Sequence, residues 1–192
     1  MTRRIMSLAA WTVCCVLLPS PHSHATTVLE LNLVQMTDRA EKIFRGTVLS
    51  VDESRVEAGG GELPALIYRI QVDETFKGEF AATGVKHIVE LKVLGSLKQY
   101  HSNKPIIPDF PLLRIDSDYL LLMGAAGATG LSAPAGLSQG AFLIYVDAVS
   151  KDEVAVNGND NANVFKGMNV RSGPGPVSYQ VLSDAIHAQL GY

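Results

Sequence analysis

Apolar positions recur first with a helical period and then, for most of the chain, with a period of two. In residues 28–39, Leu29, Leu33 and Met36, with Ala40 just beyond, fall at spacings of four, three and four, which puts them on one face of a short helix. Glu30 early and Arg39 late in that stretch suit the helix dipole. Residues 43–51, Ile-Phe-Arg-Gly-Thr-Val-Leu-Ser-Val, are β-branched and apolar. Phe44 and Val48 share one face and Thr47, Leu49 and Val51 the other, so neither face is polar throughout. With Gly46 inside the run, the pattern predicts a long, bent strand carrying a bulge, around which the later strands are organised.

Residues 57–64, Glu-Ala-Gly-Gly-Gly-Glu-Leu-Pro, read as a flexible hairpin tip. The most regular alternation follows, with Leu66, Tyr68, Ile70 and Val72 opposed to Ile67, Arg69, Gln71 and Asp73, and Phe76-Lys77-Gly78-Glu79 breaks it. Residues 84–94 predict the next strand, Val85, Val89, Leu91 and Val93 facing away from Lys86, Glu90 and Lys92. His87 falls on the apolar side, with no second ligand at metal-binding spacing. Residues 95–117 carry Pro105, Pro108 and Pro111 and little periodicity, while Ile106, Ile107, Phe110, Leu112 and Leu113 predict a packed loop rather than a free one. Beyond it lie a strand at 118–123 covered on both sides, a loop at 124–135, and a strand at 142–147 with 154–156 paired back on it. A closing helix at 178–190 has Val181, Ala185 and Leu190 on a face widened by Leu182 and Ile186, and Gly191 stops it.

The first residues change the composition argument. Arg3 and Arg4 precede an apolar run over residues 5–18, Pro19 and Pro21 end it, and Ser23-His24-Ala25 offers small residues where a signal peptidase reads, so cleavage is expected between Ala25 and Thr26. The run is shorter than the roughly 20 residues of a membrane span. Cys14 and Cys15 sit inside it behind Trp-Thr-Val, which is not the context of lipid attachment. Cleavage leaves 167 residues, enough for one domain at 26–192, and removes both cysteines and the only tryptophan. Cysteine nucleophiles, thiolate zinc sites and redox motifs are thereby excluded. The net charge moves from −3 to −5, with 14 basic and 19 acidic residues, so the chain lacks the basic footprint of a nucleic-acid binder. No later apolar run spans a bilayer, and the mature chain is expected in the periplasm or secreted.

Candidate chemistry is sparse. Gly136-Leu-Ser138-Gln-Gly140 matches the nucleophile pattern of serine hydrolases, but it follows a Gly/Pro loop and opens the run Phe142-Leu-Ile-Tyr-Val146, where the chemistry wants a strand before and a helix after. The mature chain has three histidines, His87, His101 and His187. Acidic residues at strand ends leave paired-carboxylate glycosidase chemistry as an alternative without a distinctive signal. The Asn-rich run at 157–163 lacks the order and distal glutamate of a calcium loop and reads as a turn. No cofactor or metal is called for. Arg45 reads first as a rim arginine and second as a ligand contact.

Residues 31–48 (Leu-Asn-Leu-Val-Gln-Met-Thr-Asp-Arg-Ala-Glu-Lys-Ile-Phe-Arg-Gly-Thr-Val), residues 68–78, Tyr119-Leu-Leu-Leu and residues 136–142 resemble a group of uncharacterised exported bacterial proteins. The order of Ala40, Ile43, Gly46 and Val48, then Tyr68, Val72 and Phe76-Lys77-Gly78, then Tyr119-Leu-Leu, also resembles the netrin-like module of the tissue inhibitors of metalloproteinases. That resemblance implies a mainly β, OB-like Greek-key barrel of five to six strands with an N-terminal cover helix and a C-terminal helix. Those inhibitors present an N-terminal cysteine to a catalytic zinc, whereas this mature chain begins Thr26-Thr27. The expected function is an exported, non-catalytic module that binds an unknown protein, such as a protease or surface component, with Arg45, Lys77, Ile106, Phe110 and Gln139 as candidate contacts. A small hydrolase using Ser138 or a carboxylate is the second expectation and an oligosaccharide-binding barrel the third.

Overall fold

Asn32 starts the first element. Its side chain accepts from the N–H of Gln35 while the Gln35 side chain accepts from the N–H of Asn32, a reciprocal cap that opens helix α1, Leu33–Arg39. The computed structural model describes residues 29–80, 87–170 and 173–192; the signal-peptide reading and residues 84–86 of the third expected strand lie outside them. Starting at Asn32, the helix is shorter than 28–39, and Leu29 lies before it, largely exposed, while Leu33, Met36 and Ala40 are buried as the spacing requires.

The chain then makes β1 (Lys42–Ala58), β2 (Gly61–Lys77), β3 (Ile88–Leu94), helix α2 (Leu97–His101), β4 (Asp118–Met123), a 3-10 turn (Leu137–Gly140), β5 (Ala141–Val146), β6 (Glu153–Asn157), β7 (Val177–Ser178) and helix α3 (Tyr179–Leu190). The sheet is antiparallel throughout, in the order β3-β2-β1-β4-β5-β6-β7. Its first four strands have the spatial order of a Greek key, the long connection after β3 returning β4 to the free side of β1.

The expected barrel does not close. β5 would have to turn an edge toward β3, but its two edges are taken by β4 and β6. The outer edge of β3 instead meets the loop before the 3-10 turn at one isolated bridge, Lys92 to Leu131, and the same loop touches β4 through Met123 and Pro134. The result is an open, curled sheet with a core on each side. One core lies under α1 and α3 and holds Ile43, Leu120, Leu122, Phe142, Leu33, Met36, Leu182 and Ile186. The other holds Phe44, Val48, Leu66, Tyr68, Ile70, Leu121 and Met123 beneath Phe110 and Leu113 of the long loop. Successive residues of β4 thus enter opposite cores, as Ile43 and Phe44 do at the start of β1, which explains why β4 does not alternate with polar residues.

The first hairpin is longer than its sequence pattern suggests. Gly59 and Gly60 have φ of 62° and 81°, so they alone make the turn and the strands run up to Ala58 and from Gly61. Pro64, expected in the loop, sits within β2 opposite Arg55, with its nitrogen on the side away from β1, where no ladder bond is lost. The register slips between Ile43 and Phe44, Arg45 and Gly46, and Val48 and Ser50. These bulges bend β1 as Gly46 implied; a Cβ there would lie 2.3 Å from the Gln71 carbonyl oxygen. At the C-terminus, α3 buries Tyr179, Leu182, Ala185 and Ile186, while Val181, expected inside, is exposed because the buried face is centred one position later. Among the described residues, no helix is long and apolar enough to cross a membrane.

Candidate functional site: a polar cleft beside the first helix

Where the 3-10 turn meets the Asn-rich turn and the start of the described chain, a cleft of about 950 Å³ opens. It has the size of small-molecule and peptide sites. Its floor is held by amides. Gln139, nearly fully buried, accepts from the N–H of Leu31 at 2.8 Å and donates to the carbonyls of Leu29 at 3.0 Å and Gly136 at 3.3 Å. Asn157 donates to the Gln139 carbonyl at 2.9 Å, and its oxygen accepts from the N–H groups of Asn159 and Asn161. Asn161 accepts from the N–H of Asn157 and donates to the carbonyls of Ala155 and Gly175. The side-chain oxygens of both asparagines therefore face backbone donors, an arrangement that holds a turn rather than a cation. Left-handed φ values at Asp160, Asn161 and Asn163 complete it, in residue types that tolerate them.

The walls differ from the floor. Asp109, Ser138, Asn159 and Lys166 line the cleft, and their side chains form no hydrogen bond or ion pair among the described residues. Glu30, also lining it, is engaged by Asn163 at 2.7 Å. Ser138 is placed by its own backbone: its N–H donates to the Asp109 carbonyl and its carbonyl accepts from Gly158. Gly140 is glycine for packing, since a Cβ there would lie 2.4 Å from the Ala135 carbonyl oxygen. Ser138 thus sits on a 3-10 turn leading into β5, not on a strand-to-helix elbow. None of the three histidines lines the cleft; His187 packs on Phe76 and His101 on Tyr100. No group of three or more His, Cys, Asp or Glu fit to hold a metal occurs among the described residues.

A second polar cluster gathers on the sheet. Arg45 makes paired hydrogen bonds to Glu153 at 3.0 and 2.7 Å, reaches Asp118 at 3.3 Å, and lies 4.6 Å from the Tyr179 ring centre. Thr47 donates to Asp118 at 2.6 Å, and the Tyr179 hydroxyl bonds Glu74. The guanidinium, hydrogen-bonded to Glu153, has its pKa raised still further and holds the Glu153 carboxyl below its ordinary range. Burial, with Glu74 adding to it, pushes the Tyr179 phenol up. Every charged group here has a partner, so the cluster stitches β1, β4, β6 and α3 together.

The candidate contacts fall in separate places. Arg45 belongs to the stitch; Lys77 donates to the Thr37 carbonyl at 2.9 Å, tying β2 to α1. Phe110 is buried in the core beneath the long loop, Ile106 is exposed on that loop, and Gln139 is the floor of the cleft. Asp109, Asn159 and Lys166 were not anticipated. The only sequence signal for Asn159 and Lys166 is the density of Asn, Asp and Gly around residues 157–167, and Asp109 has none. No family model matches the chain, and no curated protein does.

Proposed function

We propose that this chain is an exported, non-catalytic binding module that holds an extended polar segment of a protein partner in the cleft between α1, the 3-10 turn and the Asn-rich turn. One observation carries the reading: the floor's polar groups are paired within the chain, while Asp109, Ser138, Asn159 and Lys166 on the walls are not. A pre-formed cavity with a few unpaired polar groups, one of each charge among them, suits the alternating donors and acceptors of a peptide backbone and its side chains. Export rests on the signal-like first 25 residues. Kinship with OB-like, netrin-like modules belongs to the same proposal; the Greek-key order and the long bulged first strand support it.

The test uses the chain from Thr26 to Tyr192 as cross-linking bait in an envelope extract, beside Asp109→Asn and Lys166→Ala. One dominant partner captured by the parent and lost from both variants is the expected result. Equal capture by all three would refute the cleft as the docking site.

A second reading has one specific observation in its favour. The Ser138 hydroxyl faces the cleft unpaired, as a nucleophile's would. No histidine lines the cleft to serve as its base, so the hydrolase reading asks for turnover of ester or peptide substrates that Ser138→Ala abolishes. Background turnover unchanged by that substitution removes it.

A further inference from the structure

β4 covers β1 only from Lys42 to Thr47, with one further pair of bonds between Val48 and residues 116–117. Beyond that point the far edge of β1 runs on without a neighbouring strand among the described residues. The alternation of its backbone groups can be read from the hairpin. A two-residue turn makes Ala58 and Gly61 a hydrogen-bonded pair, so the N–H and C=O of Ala58, Val56 and Ser54 point at β2, and those of Glu57, Arg55, Glu53 and Val51 point away. The Pro64 carbonyl, opposite Arg55, agrees: it accepts from Gly95 on the side away from β1. Among the described residues no backbone group meets the four outward-pointing positions. An unpaired strand edge is a template for another strand unless its side chains forbid it.

The side chains here forbid most partners and fit one. We propose that the edge of β1 from Ser50 to Ala58 pairs antiparallel with the same edge of a second copy, about a two-fold axis at Ser54. In antiparallel pairing, outward residues must oppose outward residues, so a two-fold register centres on a single residue. Centring on Asp52, Glu53 or Arg55 sets that charge against its own copy. Centring on Val56 uses only residues 54–58. Centring on Ser54 engages the whole edge, sets Glu53 against Arg55 of the second copy twice over, Val51 against Glu57, and Asp52 against Val56. No like charges then stand directly opposite, and opposite-charge cross-strand pairs stabilise such a ladder.

The contacts this exchange gives up are exposed ones. Arg55 pairs with Glu62 at 3.0 Å, both side chains largely in solvent, and the Glu53 carboxylate accepts from the Leu97 N–H at 3.3 Å. Exposed pairs of this kind add little to stability, so their exchange is nearly free. The self-association is independent of the cleft, whose lining residues lie elsewhere in the chain.

Sedimentation of the chain from Thr26 to Tyr192 over a concentration series, at physiological salt so that net charge is screened, reads the mass directly. The expected result is a monomer that doubles in mass as concentration rises. Glu53→Arg and Arg55→Glu should each lose the dimer, because each puts like charges opposite. Mixed in equal amounts the two variants should regain it, since both cross-strand pairs become attractive, and the double variant Glu53→Arg/Arg55→Glu should regain it alone. The double variant also shows that the substitutions leave the fold intact. A parent that stays monomeric at every concentration overturns the proposal, as does a dimer indifferent to either single substitution or a mixture that fails to recover it.

Discussion

Removing the amide of Gln139 tests whether the cleft floor is built as described. Gln139 is 4% exposed, and its side-chain oxygen is the partner of the Leu31 N–H, a group of a residue only 1% exposed. In Gln139→Ala that donor is stranded away from water, which costs about 1–3 kcal/mol. The bonds to the Leu29 and Gly136 carbonyls are lost as well. Leu29 borders the cleft, where its carbonyl can take water, and the Gly136 carbonyl keeps the bond from the Gln139 N–H, so their loss adds about 1 kcal/mol at most. The expected destabilisation is about 3 kcal/mol, or roughly 6–12 °C in melting temperature for a chain of this length. Urea unfolding followed by circular dichroism measures the first, and Gln139→Met, which keeps the volume but not the amide, should behave alike. Amide exchange adds a local readout: the Leu31 N–H should exchange faster in both variants by more than the global loss accounts for. A shift below about 0.5 kcal/mol, the scale of an ordinary surface substitution, would refute the idea that this amide ties the N-terminal segment to the turn.

Gly158→Ala would place a Cβ 2.5 Å from the Ser138 Cβ, too close for either backbone to ignore; a loss of about 1–3 kcal/mol in urea unfolding is expected, and an unchanged midpoint would mean the 3-10 turn yields freely. Arg45→Met removes the group that holds the Glu153 carboxyl below its ordinary range. A depressed folded pKa gives stability that is present above the unfolded pKa and lost as pH falls through the folded one, so the parent's advantage should shrink in acid; a gap constant from neutral pH into acid contradicts the pairing. The Tyr68 hydroxyl is fully buried and reaches toward the Leu113 backbone without forming a proper hydrogen bond. Tyr68→Phe should therefore leave stability within about 0.5 kcal/mol of the parent or raise it, and a loss beyond about 1 kcal/mol would reveal a partner for that oxygen.

Much of the sheet was legible because period-two patterning and burial coincide. The strand at Leu66–Asp73 alternates because Tyr68 and Ile70 enter one core while Arg69 stays in solvent, bonded to Asp52 and Glu90. The unalternating Tyr119–Leu122 run announced cover on both sides, and two cores supply it. The extent of the first hairpin was hidden, because residues 57–64 have turn composition throughout and only two glycines in left-handed conformation decide where the chain reverses. Helix α2 was hidden inside a proline-bearing segment; its five residues rest on the reciprocal cap of Ser96 and Gln99, too short for any period to show. The open sheet was half legible: the expected pairing of 154–156 with 142–147 is what takes the second edge of β5, and a closed barrel was expected only because the netrin-like resemblance implies one.

The cleft escaped the sequence for a different reason. A polar residue that holds a turn and one that awaits a ligand look alike in a string of letters, and residues 157–167 contain both. Asn157 and Asn161 are consumed by backbone groups, whereas Asn159, between them, is not. The two buried asparagines fix the turn and so hold the third in place. An Asn161→Ala chain should accordingly lose order across the turn and, with it, partner capture, while Asn159→Ala should lose capture alone and keep the parent's unfolding midpoint. If both variants lost stability equally, the division between fixed floor and available wall would be wrong, and the case for the cleft as a binding site would fall with it.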